Sequence, residues 1–424
     1  MIMEAFNNGV NSNVYRFSFY NKTINTLYLY SNAGGVYKIT KTSTELVDNG
    51  IDGVLFIHNS NAEPFELVNI EEKRGIFFDK IIRQINFDAE NSKQINYDPK
   101  NGKLTEEELQ QLLKYWVIGI FFESIQPTKA LAAFVGEKGS GKSSTFKRIG
   151  VAFFGIDFDV MQLPEKADDL DIALLQEILV ILDNADSRVA WLEDRLATIA
   201  TGSKIRKRKL YTDSDVVELK PHCFVGITSR NPHFRRDDVS ERTLVFKLKR
   251  LTSFTSEHEI LSEIYEHRNE ILSDIVLIIQ NILSAMDSGT EYSGEVRMAD
   301  FASFMVKASE AEGMTEVVDS ILKKLPGIQA EFSVEVDPLI DLLLTWCESN
   351  SGTYVTYKEL WEGLIKIAAD KKLDFYYRAN QRAFSNKMAS LKSTLDKLFD
   401  IDEKDKGGHV IARNYKPKGG LDLF

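Results

Sequence analysis

Leu131-Ala132-Ala133-Phe134-Val135-Gly136-Glu137-Lys138-Gly139-Ser140-Gly141-Lys142-Ser143 decides the fold. Five apolar residues read as a buried strand, and the Gly-x-x-x-x-Gly-Lys-Ser that follows them opens a helix. Glycines let backbone N–H groups curl around phosphate oxygens without a Cβ clash. The helix start offers its positive dipole end to the anion. Gly136, Gly139, Ser140, Gly141, Lys142, Ser143 and Ser144 are therefore expected to hold a nucleotide. Lys142 would reach the β- and γ-phosphates and the Ser143 hydroxyl would hold Mg²⁺, which makes ATP and Mg²⁺ the expected ligands.

Downstream, apolar runs alternate with helical patterns, as in an α/β core with a parallel sheet. Glu177-Ile178-Leu179-Val180-Ile181-Leu182 ends at Asp183, the expected second Mg²⁺ ligand. Asn184 follows, and an amide can position water but cannot take its proton. Asp186 lies close enough to substitute, so the general base stays open. Cys223 to Ser229 forms a third run, with Ser229 and Asn231 as candidates for the γ-phosphate or the attacking water. A fourth run, Leu244 to Leu248, is preceded by Arg235, Arg236 and Arg242. A guanidinium there suits a finger reaching a neighbouring subunit's ATP, with Arg242 first and Arg236 second; an ion pair with Asp237, Asp238 or Glu241 is the alternative.

Lys204-Ile205-Arg206-Lys207-Arg208-Lys209 carries five positive charges in a chain of net charge -11. With Leu210-Tyr211, a polar turn at 212–215 and Val216-Val217-Glu218-Leu219, it reads as a β-hairpin inserted before the third run. Alternation along a strand keeps the charges off any single face. Arg206, Lys207, Arg208 and Lys209 are candidates for nucleic-acid phosphates, against a solvated hairpin or a contact with acidic neighbours. The acidic total argues against wholesale nucleic-acid binding but leaves a local site open.

The 424 residues, 43% apolar and 27% charged, suffice for several domains. No segment reaches the length of a membrane span and no signal peptide is evident, so a cytoplasmic protein without a membrane partner is expected. Cys223 and Cys347 are too few for a disulfide framework or a metal site.

The flanks are less specific. Residues 12–70 read as β, with Val14 to Phe19 alternating, Thr26 to Tyr30 rich in strand formers and a turn at Asn32-Ala33-Gly34-Gly35. Thr105-Glu106-Glu107-Glu108 caps a helix whose stripe is Leu109, Leu112, Leu113, Trp116, Val117 and Ile120. Residues 256–325 are helical and Pro326-Gly327 is expected to end them. Helices near Asp337, after Thr356 and over 380–399, then a hairpin turning at Lys404 to Gly408, give the order of a winged helix. Its Arg378, Arg382, Lys387, Lys392, Arg413, Lys416 and Lys418 would meet DNA phosphates, unless the module docks protein instead.

The series P-loop, Leu182-Asp183-Asn184, basic hairpin, Thr228-Ser229-Arg230 and Arg235 to Arg242 resembles AAA+ ATPases of the superfamily III and poxvirus-type primase-helicase group. Trp191 to Asp194, through Thr201-Gly202, to Arg208-Lys209-Leu210-Tyr211-Thr212 is similar to the versions carried by phages, plasmids and chromosomal islands. The resemblance, strong over 130–250, implies a homo-oligomeric, hexameric ring with ATP at subunit interfaces and a hairpin that lines the pore and tracks single-stranded DNA. It carries roles onto Lys142, Ser143, Asp183, Ser229 to Asn231, Lys207, Lys209 and Arg242. Two features depart from the pattern. Asn184 stands where a second acid is usual, and residues 1–75 are too short for a primase domain, so priming would need a separate primase or replication protein.

The layout expected is an α/β chain: an N-terminal β-rich domain (1–75), a helical collar (76–130), an AAA+ core (131–250), a helical lid or linker (251–330) and a winged helix (335–424). The expected function is an ATP-driven ring helicase or replication-initiator motor for a mobile element. The alternative is a nucleotide-switched scaffold or sensor, in anti-phage defence for example, that assembles without unwinding. A small-molecule kinase fits worse, since neither hairpin nor winged helix serves a small acceptor.

Overall fold

The computed structural model describes residues 13–70, 73–89, 103–185, 189–208, 216–230, 237–335, 338–370, 375, 377, 379–406 and 409–418. Among these, one compact unit comprises the residues up to 230 and from 241 to 327; a second comprises 237–240 and those from 328 onward.

The first unit begins with short strands whose aromatic and β-branched content suits a pleated surface. They are β1 (Val14–Tyr15), β2 (Ser18–Asn21), β3 (Thr26–Tyr30), β4 (Gly35–Ile39), β5 (Thr44–Asp48) and β6 (Leu55–Phe56). β2 to β5 form an antiparallel meander, and β1 pairs in parallel with β6. β3 is buried throughout. Residues 63–70 and the turn at 73–77 then meet a later helix whose side chains accept from their backbone N–H groups: Asn269 Oδ1 from Glu66, Ser273 Oγ from Val68, and the Asp274 carboxylate from Gly75 and Phe77.

Helix α1 (Glu106–Gly119) starts at a capping box, in which Thr105 Oγ1 accepts from the Glu108 N–H and the Glu108 carboxylate from the Thr105 N–H. The apolar stripe of the sequence reading is buried, and Trp116 packs edge-to-face with Phe146 and Phe224. β7 (Leu131–Val135), α2 (Lys142–Phe154), β8 (Met161–Gln162), α3 (Ala167–Gln176), β9 (Leu179–Asp183), α4 (Ala190–Ala200), the hairpin strands β10 (Ile205–Arg208) and β11 (Val216–Leu219), β12 (Phe224–Ser229) and β13 (Thr243–Lys247) follow.

The core sheet has five parallel strands in the order β13-β7-β12-β9-β8. Its strands β7, β9 and β12 are buried almost without interruption, which is why they read as continuous apolar runs. The last two strands flank the first, so all loops at the carboxyl edge converge around the one after β7. β8 is the strand that the sequence reading left out; two residues carry no periodicity.

Helices α5 (Glu257–Glu266), α6 (Arg268–Leu283), α7 (Ala299–Glu312) and α8 (Thr315–Glu335) complete the series. α8 corrects one expectation: Pro326 does not end it but lies inside it. Burial outweighs the missing hydrogen bond here. Leu322, Leu325 and Gln329 are buried, and the Lys324 ammonium, 1% exposed, donates to both Glu108 oxygens at 2.8 and 2.7 Å. Arg268, at the start of α6, is buried and donates to four carbonyls: Pro64 at 2.7 Å, Glu63 at 2.9 Å, Phe153 at 3.0 Å and Ala152 at 3.2 Å. It thus ties residues 63–64 to the last turn of α2, where a cation also suits the helix dipole.

The second unit has its own core around Leu342, Leu343, Leu360, Leu364, Phe384, Met388 and Tyr415. Its order is α9 (Pro338–Asn350), α10 (Tyr357–Asp370), α11 (Gln381–Ser390), α12 (Lys392–Leu398) and the antiparallel pair β14 (Phe399–Lys406) and β15 (His409–Pro417). The single helix expected over 380–399 is two, breaking at Leu391, which ends one and opens the next. Val355 adds an antiparallel bridge to Arg413.

Candidate nucleotide and nucleic-acid sites

The loop between β7 and α2 wraps its own lysine. Lys142 Nζ donates to the carbonyls of Gly136 at 2.6 Å and Glu137 at 3.0 Å, and reaches Ser140 Oγ at 3.4 Å. The Gly136 N–H donates to the Ser229 carbonyl, which fastens the loop to β12. Glycine is required twice over. Gly139 and Gly141 have φ of +84° and +81°, in the left-handed region. At Gly136 a Cβ would stand 2.6 Å from the Leu248 carbonyl oxygen. Gly141 opens α2, and Thr145 Oγ1 donates back to its carbonyl.

Asp183, at the end of β9, is the hub. Its Oδ1 accepts from Ser143 Oγ at 2.5 Å and Thr228 Oγ1 at 2.6 Å; its Oδ2 accepts from Asn184 Nδ2 at 3.0 Å and Gln162 Nε2 at 3.2 Å. Thr228 Oγ1 in turn accepts the Asn184 N–H at 2.9 Å, and Asn184 sits at a φ of +52°. The carboxylate is therefore held by four side-chain donors from four places in the chain. Ser143 and Asp183, expected together, are together.

Two members escaped the sequence reading. Gln162 comes from the short edge strand β8, whose register sets it beside Asp183. Thr228 stood inside the motif Thr228-Ser229-Arg230, but the candidates drawn from it were Ser229 and Asn231. Ser229 is fully buried in β12, and its carbonyl takes the loop N–H described above. Ser144 turns to the α5 side, its hydroxyl donating to Glu257 Oε2 at 3.2 Å, and Glu257 also pairs with Lys147 at 2.8 Å.

The donor set fits a nucleotide with its metal. A loop with two glycines at positive φ and a third with no room for a Cβ, one lysine ammonium, and a hydroxyl and a carboxylate in contact are hard-cation and phosphate chemistry. Asn184 donates its amide to Asp183 and is no base. Among the described residues no group of three or more His, Cys, Asp or Glu is placed to hold a metal.

Arg242 is half-buried just before β13, and its carbonyl accepts the N–H of Leu131, the first residue of β7. It therefore lies at the amino edge of the sheet, opposite the loop after β7. Its neighbour Glu241 pairs with Arg297 at 2.9 Å. Asn231, Arg235 and Arg236 lie outside the described residues, as do Asp186 and Lys209.

The two strands of the expected hairpin are present, while residues 209–215 between them lie outside the described residues. β10 and β11 pair antiparallel, with Arg206 across from Glu218, Lys207 from Val217 and Arg208 from Val216. Lys204 pairs with Glu218 at 2.9 Å, and Ile205 is buried at the base. In the second unit, the cations of β15 and the residue after it meet carboxylates of β14: Arg413 with Glu403 at 2.8 Å, Lys416 with Asp402 at 3.8 Å and Lys418 with Asp400 at 3.8 Å. No helix among the described residues is long and apolar enough to cross a membrane.

Comparison with known proteins gives one decisive match. No curated protein matches. Among solved structures, the A form apo structure of the NrS-1 C-terminal region is 13% identical with a TM-score of 0.36, covering 94% of this chain and 95% of that one. The X-ray structure of JCV helicase is 13% identical with a TM-score of 0.25, covering 50% of this chain and 56% of that one. The family model of the actinomycete integrative conjugative element replication proteins matches residues 101–324, just over half of the chain and all of the loop, the Asp183 hub and the hairpin, and the chain belongs to that family.

Proposed function

We propose that this chain is an ATP-driven ring motor, a helicase or replication initiator that translocates on single-stranded DNA for a mobile element. One observation carries the reading: Ser143 and Asp183 meet at 2.5 Å beside a glycine loop that already cradles the Lys142 ammonium. Phosphate oxygens would replace the Gly136 and Glu137 carbonyls as acceptors for Lys142. Backbone N–H groups of the loop and the start of α2 would take the rest of the triphosphate. Ser143 and Asp183 would hold Mg²⁺, which when bound neutralises charge on the β- and γ-phosphates. Thr228, Gln162 and Asn184 would hold the Asp183 carboxylate in place while Lys142 and Ser143 exchange partners.

Arg242 is read as a residue that acts between subunits. The five residues of β13, at roughly 3.3 Å each, set it about 16 Å from the carboxyl edge of the sheet, beyond reach of its own chain's loop. Its guanidinium would serve a neighbour's ATP in a homo-oligomer, which we take to be a hexameric ring. Arg206, Lys207, Arg208 and Lys209 would track the DNA strand from the pore. The domain layout of the sequence reading, with a winged helix over 335–424, belongs to the same proposal. A separate primase or replication protein would supply priming.

The test is steady-state ATP hydrolysis with and without single-stranded DNA, beside a Lys142→Ala control. A rise of about several-fold with DNA, abolished in the control, is the expected result for a strand-tracking site. A slow rate indifferent to DNA would count against a motor and favour the nucleotide-switched scaffold.

A further inference from the structure

Resting on that reading of the P-loop, we infer that Phe254 is the stacking platform for the nucleobase, with Arg250 beside it. Phe254 is 65% exposed, a large apolar ring left in solvent. It is not a stray surface residue. Its Cε1 and Cζ lie 3.2 Å from where a Cβ on Gly139 would stand, and Arg250 Nε lies 3.8 Å from the same point. The segment carrying both is fixed against the loop. The Leu251 N–H donates to the Gly139 carbonyl at 3.0 Å, and the Leu251 side chain approaches Gly141. At its other end the Lys249 N–H donates to the Asn86 carbonyl at 2.9 Å.

Direction follows from strand order. The loop leaves β7; Asp183 ends β9 on one side of it, beyond β12; the 248–254 segment leaves β13 on the other side. A triphosphate whose metal-bound end faces Asp183 must project its nucleoside toward the β13 flank. That is where the exposed ring stands. A phenyl face gives a base a π-surface to cover and brings Phe254 out of water, and a guanidinium alongside can meet the α-phosphate or the ring of the base.

The test is binding by the full chain, with two probes: Mg²⁺–ATP and Mg²⁺–inorganic tripolyphosphate, each titrated against a ribose-labelled fluorescent nucleotide. Phe254→Ala is expected to weaken ATP on the order of tenfold, the loss of one base–aromatic stack, and to leave tripolyphosphate within about twofold. Phe254→Trp should keep ATP affinity and add a fluorescence signal that ATP quenches and tripolyphosphate does not. Equal losses for ATP and tripolyphosphate would make Phe254 a prop for the loop and overturn the inference. So would unchanged ATP affinity in Phe254→Ala. Failure of the wild-type chain to bind either probe would remove the P-loop reading itself, and this inference with it.

Discussion

Thr228→Val isolates the hub at Asp183. Valine keeps the shape of threonine and deletes one oxygen. That oxygen donates to Asp183 Oδ1 at 2.6 Å and accepts the Asn184 N–H at 2.9 Å, in a side chain with no solvent exposure. Stranding the part-buried Asn184 N–H costs about 1 kcal/mol, the low end for an unmade hydrogen bond, and a hydrogen bond to a charged group contributes about 1.5–3 kcal/mol. The two losses share one atom and do not add fully, so we expect about 3 kcal/mol. Thr228→Ser keeps the hydroxyl and gives up one methyl, about 1 kcal/mol. Urea unfolding of the three proteins, followed by tryptophan fluorescence, measures the gap. A looser carboxylate should also cost at least about tenfold in kcat, the equivalent of roughly 1.4 kcal/mol of barrier. If valine and serine variants unfold together and hydrolyse ATP alike, Thr228 is a core threonine and the hub is not organised through it.

Two further outcomes are expected. Reversing Lys207 and Lys209 to glutamate should weaken single-stranded DNA binding and flatten the logarithmic salt slope by about 0.7 for each phosphate no longer neutralised, while basal hydrolysis persists; an unchanged slope would take the hairpin out of the DNA path. At Glu108, burial alone would push the carboxyl up, but the Lys324 ammonium, the Ser320 hydroxyl and the Thr105 N–H outweigh it and hold it below the usual glutamate range. The stability it contributes is therefore complete above about pH 4.3, the unfolded value, and disappears as pH falls through the lower folded one. Glu108→Gln should cost on the order of 3 kcal/mol at pH 7, with the gap to wild type closing on acidification; a gap that stays constant with pH would refute the assignment.

The parts of the site written in consecutive residues were legible. Gly136 to Ser143 states its own geometry, because strand, turn and helix start follow one another without a break. Asp183 was legible because its strand is buried on both faces and ends where polarity returns. Gln162 and Thr228 were not, for a nonlocal reason: their roles exist only once β12 is known to lie between β7 and β9, with β8 at the edge. Strand order is set by packing across the whole sheet, and two residues of β8 carry no pattern to announce it. Pro326 misled because a local helix breaker was weighed without the buried Lys324–Glu108 pair two residues before it.

The four carbonyls gathered by Arg268 bear on where this protein can be cut. Two of them belong to residues 63 and 64, far upstream of the span that the family shares. A fragment trimmed to begin at residue 101 would keep the guanidinium and the end of α2 while discarding half of its carbonyl acceptors and the Phe65 ring that covers it. The portable piece of this molecule is therefore longer than its recognisable piece: the short strands at the amino end are part of the frame on which α2 is mounted, not an appendage to it.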